Sequence, residues 1–185
     1  MNAKIAFLVG SLRNDSLNKK VANVLSSLAP QTINMEFIKI GDLPLYNQDL
    51  EDSDHVPDAW IAFRKHVKSC DGLLFVTPEY NRSIPAPLKN AIDVGSRPYG
   101  QSIWDNKPGA IISVSPGAIG GFGANQHLRQ SLSCLNVPLL PQPEAYIGQA
   151  GSLFNEQGEL VKEDSLKFFK VFMDAFVRWV DINRG

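Results

Sequence analysis

Three segments of this 185-residue chain are apolar on both faces: Ile5–Val9 (I-A-F-L-V), Gly72–Thr77 (G-L-L-F-V-T) and Ala110–Val114 (A-I-I-S-V). A half-exposed strand alternates apolar and polar residues; a strand with no alternation must be covered above and below. Each run ends at a glycine or proline and is followed by a loop and then by helical periodicity. After the first run, Val21, Val24, Leu25 and Leu28 fall at i, i+3, i+4 and i+7 within Leu17–Leu28. That pattern is one face of a helix. Buried strands separated by helices imply an α/β fold in which a parallel sheet carries helices on both faces.

The remaining segments fit that frame. Met35–Ile40 (M-E-F-I-K-I) alternates and reads as a half-exposed edge strand. Gly41–Pro57 is long, polar and acidic, a loop punctuated by Pro44 and Pro57. A helix then runs to about Ser69 and carries Trp60, Ile61, Phe63 and Val67. Pro85–Val94 reads as helical with its prolines in the first turn, where a missing N–H costs little. Asn125–Leu135 is a further helix, and Val137–Ile147 a proline-interrupted last strand. The C-terminal helix places Leu166, Phe169, Phe172, Met173, Phe176, Val177 and Val180 on one stripe, suited to a core or to an interface. Five strands thus alternate with five helices. Without repeat or linker, residues 1–185 are expected to form a single domain.

Composition closes off several functions. Eighteen Lys+Arg against nineteen Asp+Glu give a formal charge of −1, so bulk attraction to nucleic acid or an anionic membrane is not expected. No apolar run approaches the roughly 18 residues of a membrane span. Lys4 followed by Ile5–Val9 is too short for a secretion signal and runs into Gly10-Ser11-Leu12-Arg13. Cys70 and Cys134 form no C-x-x-C pair, which fits reduced, packed thiols in a cytoplasmic protein.

Ligands of open α/β sheets bind outside the carboxyl ends of the strands, which directs attention to three loops. The first, Gly10–Asn18, enters its helix with Ser16 at the N-cap position. The free N–H groups and positive dipole end of a helix start suit an anion. Ser11, Ser16 and Asn18 add neutral donors, and Arg13 adds a fork matched to phosphate oxygens. Asp15 is unfavourable beside an anion and is expected to point away. The same residues also read as a plain Ser-capped helix with an exposed arginine. The second loop, Thr77–Pro87, holds Tyr80, Asn81 and Ile84 between three prolines, which stiffen exposed amides that could grip a flat polar ring. Those prolines also simply end a strand and start a helix. The third, Ser115–Asn125, has four glycines in seven residues, allowing close backbone approach or a flexible connection.

Other chemistries lack their residues. There is no G-x-x-x-x-G-K-[ST], no G-x-G-x-x-G and no G-x-S-x-G. His55, His66 and His127 have no metal-ligand spacing, so no metal is expected; His66 reads as a helix-surface residue, and His127, near the glycine loop, is a minor site candidate. Glu79 is the lone carboxylate of its loop, so no acid/base pair is visible. A cleft that can hold a ligand but offers no nucleophile suits an enzyme whose cofactor supplies the reactivity.

The motifs G-S-L-R-x-x-S-x-N at 10–18, T-P-E-Y-N-x-S-I-P-x-x-L-K-N-A-I-D at 77–93 and S-P-G-x-x-G-G at 115–121 resemble the NADPH-dependent FMN reductase family of the flavodoxin-like superfamily. The likeness is nearest to its bacterial quinone and chromate reductase branch and spans nearly the whole chain. It implies a three-layer sandwich with a five-stranded parallel sheet in the order 2-1-3-4-5. It implies an FMN whose phosphate is held by Ser11, Arg13, Ser16, Leu17 and Asn18. The isoalloxazine would lie against Pro78, Glu79, Tyr80, Asn81 and Ile84, with Ser115 and Gly117 at its other edge. The implied reaction is ping-pong: NADPH or NADH gives a hydride to the flavin and leaves, and a small acceptor such as a quinone takes the electrons. No protein residue is then catalytic in the covalent sense. The resemblance also implies a homodimer or homotetramer. Arg82 and Arg97 are candidates for the nicotinamide phosphates, or are merely solvated cations. A flavodoxin-type electron carrier is the alternative, although such carriers tend to be strongly acidic. A flavin-free anion-binding module is a third reading.

Overall fold

The computed structural model describes residues 2–53 and 55–184. In chain order the elements are β1 (Ala3–Val9), α1 (Leu17–Leu28), β2 (Ile33–Ile38), α2 (Gln48–Glu51), α3 (Asp58–Lys68) and β3 (Gly72–Thr77). They continue with α4 (Ala86–Gly95), β4 (Gly109–Val114), α5 (Phe122–Cys134), β5 (Ala145–Ile147) and α6 (Glu163–Asn183), with a 3-10 turn at Ala150–Leu153. All strand pairs are parallel, and the order is β2-β1-β3-β4-β5. This is the flavodoxin-like arrangement the sequence led us to expect.

Burial explains the order. β3 and β4, apolar throughout, are buried at every position and occupy the middle of the sheet with β1. One face packs Phe7, Leu74 and Ile112 against α1 and α6. The other packs Leu8, Phe75 and Ile111 against α3, α4 and α5. The alternating β2 lies at the edge, with Phe37 facing Phe7 at 4.8 Å between ring centroids.

Several boundaries differ from expectation. β2 starts at Ile33 and ends at Ile38, because its register with β1 begins at Ala3↔Ile33. The polar segment 41–57, apart from position 54, which lies outside the described residues, contains α2. Its N-cap is Asn47, whose side chain accepts from Asp49 N–H at 3.0 Å, and Glu51 forms an ion pair with Arg64. The α-helices among the described residues therefore number six rather than five. α5 begins three residues before Asn125, on a left-handed Gly121. Only Ala145–Ile147 of the last strand region forms a continuous strand, since Pro138, Pro141 and Pro143 remove ladder donors; Leu139 keeps a single bridge to Gly109. Ile61 and Leu166 are exposed and Val177 is half-buried, so the α3 and α6 stripes are narrower than expected. Cys70 is buried as expected, but Cys134, at the end of α5, is exposed.

Candidate active site

Because β1, β3 and β4 are neighbours, the loops that follow them meet at one edge of the sheet. Gly10 N–H donates to the Val76 carbonyl at 2.8 Å, and a Cβ at Gly10 would lie 3.0 Å from Pro85 and 3.2 Å from Pro78. The first and second loops therefore touch through a residue that has no side chain to spare.

In the first loop Ser11, Ser16 and Asn18 are buried. Ser16 caps α1: its Oγ accepts Lys19 N–H at 3.3 Å, which leaves its own hydroxyl proton free to donate. The N–H groups of Leu17 and Asn18 have no acceptor among the described residues, and the buried Asn18 Oδ1 has no partner. The two open N–H groups are donors that suit an anion, whereas the Asn18 oxygen is an acceptor that would need a donor. Charge also suits an anion. The first turn of α1 has no acidic residue and instead carries Lys19 and Lys20, cations at the positive end of the helix dipole. Lys20 is paired to Asp15 at 2.7 Å; that hydrogen bond holds the Asp15 carboxyl below the usual aspartate range. Asp15 is exposed and turned to Lys20. Arg13 is also exposed, free to reach an anion. Lys19 was missed in the sequence, although a lysine in a first turn lacking any acid is itself a legible sign. On the outer side of this loop a cavity of about 350 Å³ opens between α1 and β2, lined by Ser11, Leu12, Lys19, Phe37 and Lys39.

The second loop is a two-residue hairpin. Tyr80 and Ser83 exchange backbone hydrogen bonds at 3.1 and 2.9 Å, and the turn residues Asn81 and Arg82 have φ of 50° and 65°. Asparagine tolerates that region; for arginine it is strained. Tyr80 is exposed, Pro78 and Ile84 are half-buried, and the N–H groups of Glu79 and Asn81 have no acceptor among the described residues. A ring with polar edges would meet unpaired amides and apolar area here. The Glu79 carboxylate, however, faces α5: it accepts Ala124 N–H at 3.1 Å and pairs with Arg82 at 3.2 Å. His127 lies 2.9 Å from the Ser83 hydroxyl, which brings it to this loop. The later half of the motif is structural: the Asn90 amide accepts Tyr46 N–H at 2.9 Å and donates to Leu43 and Pro44 carbonyls, each at 3.1 Å.

The third loop is fixed by backbone packing. Gly117 accepts Gln149 N–H at 3.0 Å, and Ser113 Oγ donates to the Gly120 carbonyl at 2.7 Å. Gly120 has φ of 67°, and a Cβ there would lie 2.6 Å from the Tyr146 backbone, so it is no flexible connector. Ser115 is half-buried and Gly117 exposed at the loop rim. Arg97 is the outlier. It follows the C-terminal end of α4, about 15 Å of helix from the second loop at 1.5 Å per residue, so the fold does not bring it to these loops. Among the described residues no cluster of His, Cys, Asp and Glu is arranged to hold a metal.

The fold and this edge define a flavodoxin-like protein whose loops combine a Ser16-capped helix start, a hairpin with unpaired amides and a rigid glycine loop. The profile describing NADPH-dependent FMN reductases matches residues 3–152. A quinone reductase of Pseudomonas putida is 56% identical over 181 residues, covering 98% of this chain and 96% of that protein. A 2-hydroxy-1,4-benzoquinone reductase of Burkholderia sp is 51% identical over 180 residues, 97% of each chain. Among solved structures, the flavoenzyme NAD(P)H:(acceptor) oxidoreductase FerB of Paracoccus denitrificans superposes with a TM-score of 0.91 at 40% identity, covering 99% of this chain and all of that one. The chain belongs to the NADPH-dependent FMN reductase family and is an oxidoreductase that works with FMN and NAD(P)H.

Proposed function

We propose that this protein takes electrons from NADPH or NADH through bound FMN and delivers them to quinones or similar small acceptors, with residues 1–185 acting as one FMN-binding domain. The observation that carries the site assignment is the start of α1, where the N–H groups of Leu17 and Asn18 have no acceptor among the described residues and Lys19 forms no ion pair there. Ser11, Ser16, Leu17 and Asn18 would hold the FMN phosphate there, with Arg13 closing from solvent. The amides of Glu79 and Asn81 would meet the polar edge of the ring, with Pro78, Tyr80 and Ile84 giving apolar area and Ser115 and Gly117 lying at its far side. FMN, when bound, supplies the reversible two-electron chemistry that no side chain here offers. The residues of the chain bind and orient; Ile119 and Tyr80, both exposed, border the open side by which planar donors and acceptors would enter. Arg82, exposed at the hairpin tip, is the candidate for the nicotinamide phosphates, and Arg97 is set aside by its place.

A cytoplasmic homodimer or homotetramer is part of the proposal, resting on the likeness to quinone reductases of this class. The test is FMN retention in Arg13→Ala and Ser16→Ala. Each should lower FMN affinity about tenfold or more, as loss of a charge-assisted or capping donor implies, while circular dichroism stays unchanged. Purified variants that keep stoichiometric FMN would overturn the assignment. Bleaching of the bound flavin by NADPH alone separates this enzyme from an electron carrier.

A further inference from the structure

Glu79 sits in the middle of the second loop, yet its side chain serves another element. Both carboxylate oxygens are engaged: Oε2 accepts Ala124 N–H from the first turn of α5, and Oε1 accepts from Arg82. Its side chain is only 13% exposed. α5 has no side-chain cap of its own, since its N-cap is the left-handed Gly121. A residue 45 positions earlier supplies the missing acceptor. The contact extends to the backbone, because a Cβ at Gly123 would lie 2.8 Å from the Arg82 carbonyl and 3.0 Å from Glu79 Oε2. At the other end of the hairpin the Ser83 hydroxyl meets His127, one turn further along α5. Between these two pins sit Asn81 and Arg82, consecutive non-glycine residues in the left-handed region. Such a pair persists only where its surroundings over-determine it.

We infer that Glu79 is a positioning residue: its carboxylate docks the Tyr80–Ser83 hairpin on the N-terminus of α5 and so fixes where the open amides of Glu79 and Asn81 point. This rests on the reading of that hairpin as the ring-binding loop. In this reading the Glu79 backbone N–H serves the ligand and the carboxylate serves α5. The docking charge is complementary, since a carboxylate at a helix start is favourable, and Arg82 balances the remainder.

Two measurements on the full-length protein test this. Amide hydrogen exchange of the FMN-free chain reads the docking itself. Glu79→Ala should speed exchange at Ala124 and Ser83 about tenfold or more, whereas Glu79→Gln, which keeps an acceptor for Ala124 N–H, should leave both near wild type. FMN titration by flavin fluorescence reads the consequence. Glu79→Ala should weaken binding about tenfold to a hundredfold, as loss of a hydrogen bond to a charged group implies, and Glu79→Gln should stay within about threefold. Gly123→Ala, which pushes on both the Arg82 carbonyl and the Glu79 carboxylate, should reproduce the alanine result. Adding Arg82→Gly to Glu79→Ala should restore several-fold of the affinity, because glycine adopts the left-handed turn without strain. Unchanged exchange in Glu79→Ala would overturn the inference, and so would a Glu79→Gln variant as damaged as the alanine one. If the wild type binds no FMN, the proposed function falls, and the exchange data still decide whether Glu79 docks the hairpin.

Discussion

The two edges of the sheet are made by the same strands and treat their polar groups in opposite ways. Where the strands begin, demands are met from within. Asp71 accepts Lys4 N–H at 2.8 Å, Trp179 donates to the Pro138 carbonyl at 2.8 Å, and the Lys107 ammonium donates to the carbonyls of Lys68 and Cys70 beyond α3. α3 also ends in Lys65, His66 and Lys68, cations at the negative end of its dipole. Where the strands end, α1 starts on lysines, and Asn18 Oδ1 and the amides of Leu17, Glu79 and Asn81 have no partner among the described residues. A chain that balances its charges at one edge and leaves them unbalanced at the other is not loosely built. That contrast sets the start of α1 apart from the opposite end of the sheet.

The comparison can be broken most sharply at Ser16. Aspartate caps helices as well as serine does, so Ser16→Asp should leave the melting temperature of the FMN-free protein within a few degrees. It also places a carboxylate at this helix start, and FMN affinity should fall about a hundredfold or more, since like charges a few ångströms apart repel by several kcal/mol at an effective dielectric near 20. Equal losses of stability and affinity would show that the site is only a helix cap. A smaller and more instructive effect is expected at Asn18. Asn18→Leu removes a buried oxygen that lacks a partner, so the FMN-free protein should gain about 1 kcal/mol in denaturant unfolding, while FMN binding weakens about tenfold. Changes of the same sign would contradict a ligand-directed amide.

The smallest effect belongs to the other edge. Lys107→Met strips partners from the Lys68 and Cys70 carbonyls and should cost about 1 kcal/mol of stability, with FMN affinity unchanged within twofold. It carries a pH signature too. Burial lowers the Lys107 pKa, so between that lowered value and the usual lysine range the unfolded chain binds more protons than the native one. Native stability therefore rises with pH across that window, and urea melts of the Met variant should lose the rise.

The parts of the molecule that were legible in sequence are those with a single physical solution. Gly72–Thr77 can only be a strand covered on both faces, and it forms β3 over those same residues; Leu17–Leu28 has both its apolar stripe and its Ser16 cap, and α1 follows them. The Ser16 cap was legible because a serine between a buried strand and an apolar helical stripe marks a helix start. What escaped depended on partners far along the chain. α2 is held by Glu51 meeting Arg64 across a loop, and β5 is shortened by prolines whose effect depends on which neighbour needs a donor. The Glu79 side chain reaches Ala124, and nothing in its own loop hints at that partner. Arg97 looked close to the motif in sequence, and only the length of α4 separates them. Local rules recover elements and caps; pairings between elements need the fold.

The register of β1 bears on how the molecule is made. Its outer neighbour β2 follows within a few dozen residues, but its inner neighbour pairs Ile5 with Gly72. During translation at roughly 5–20 residues per second, the most apolar N-terminal segment therefore waits some seconds with one edge uncovered. A ribosome stall before codon 77 would leave nascent chains able to associate through that edge, and synonymous changes that slow the interval between β2 and β3 should lower soluble yield without altering the finished protein.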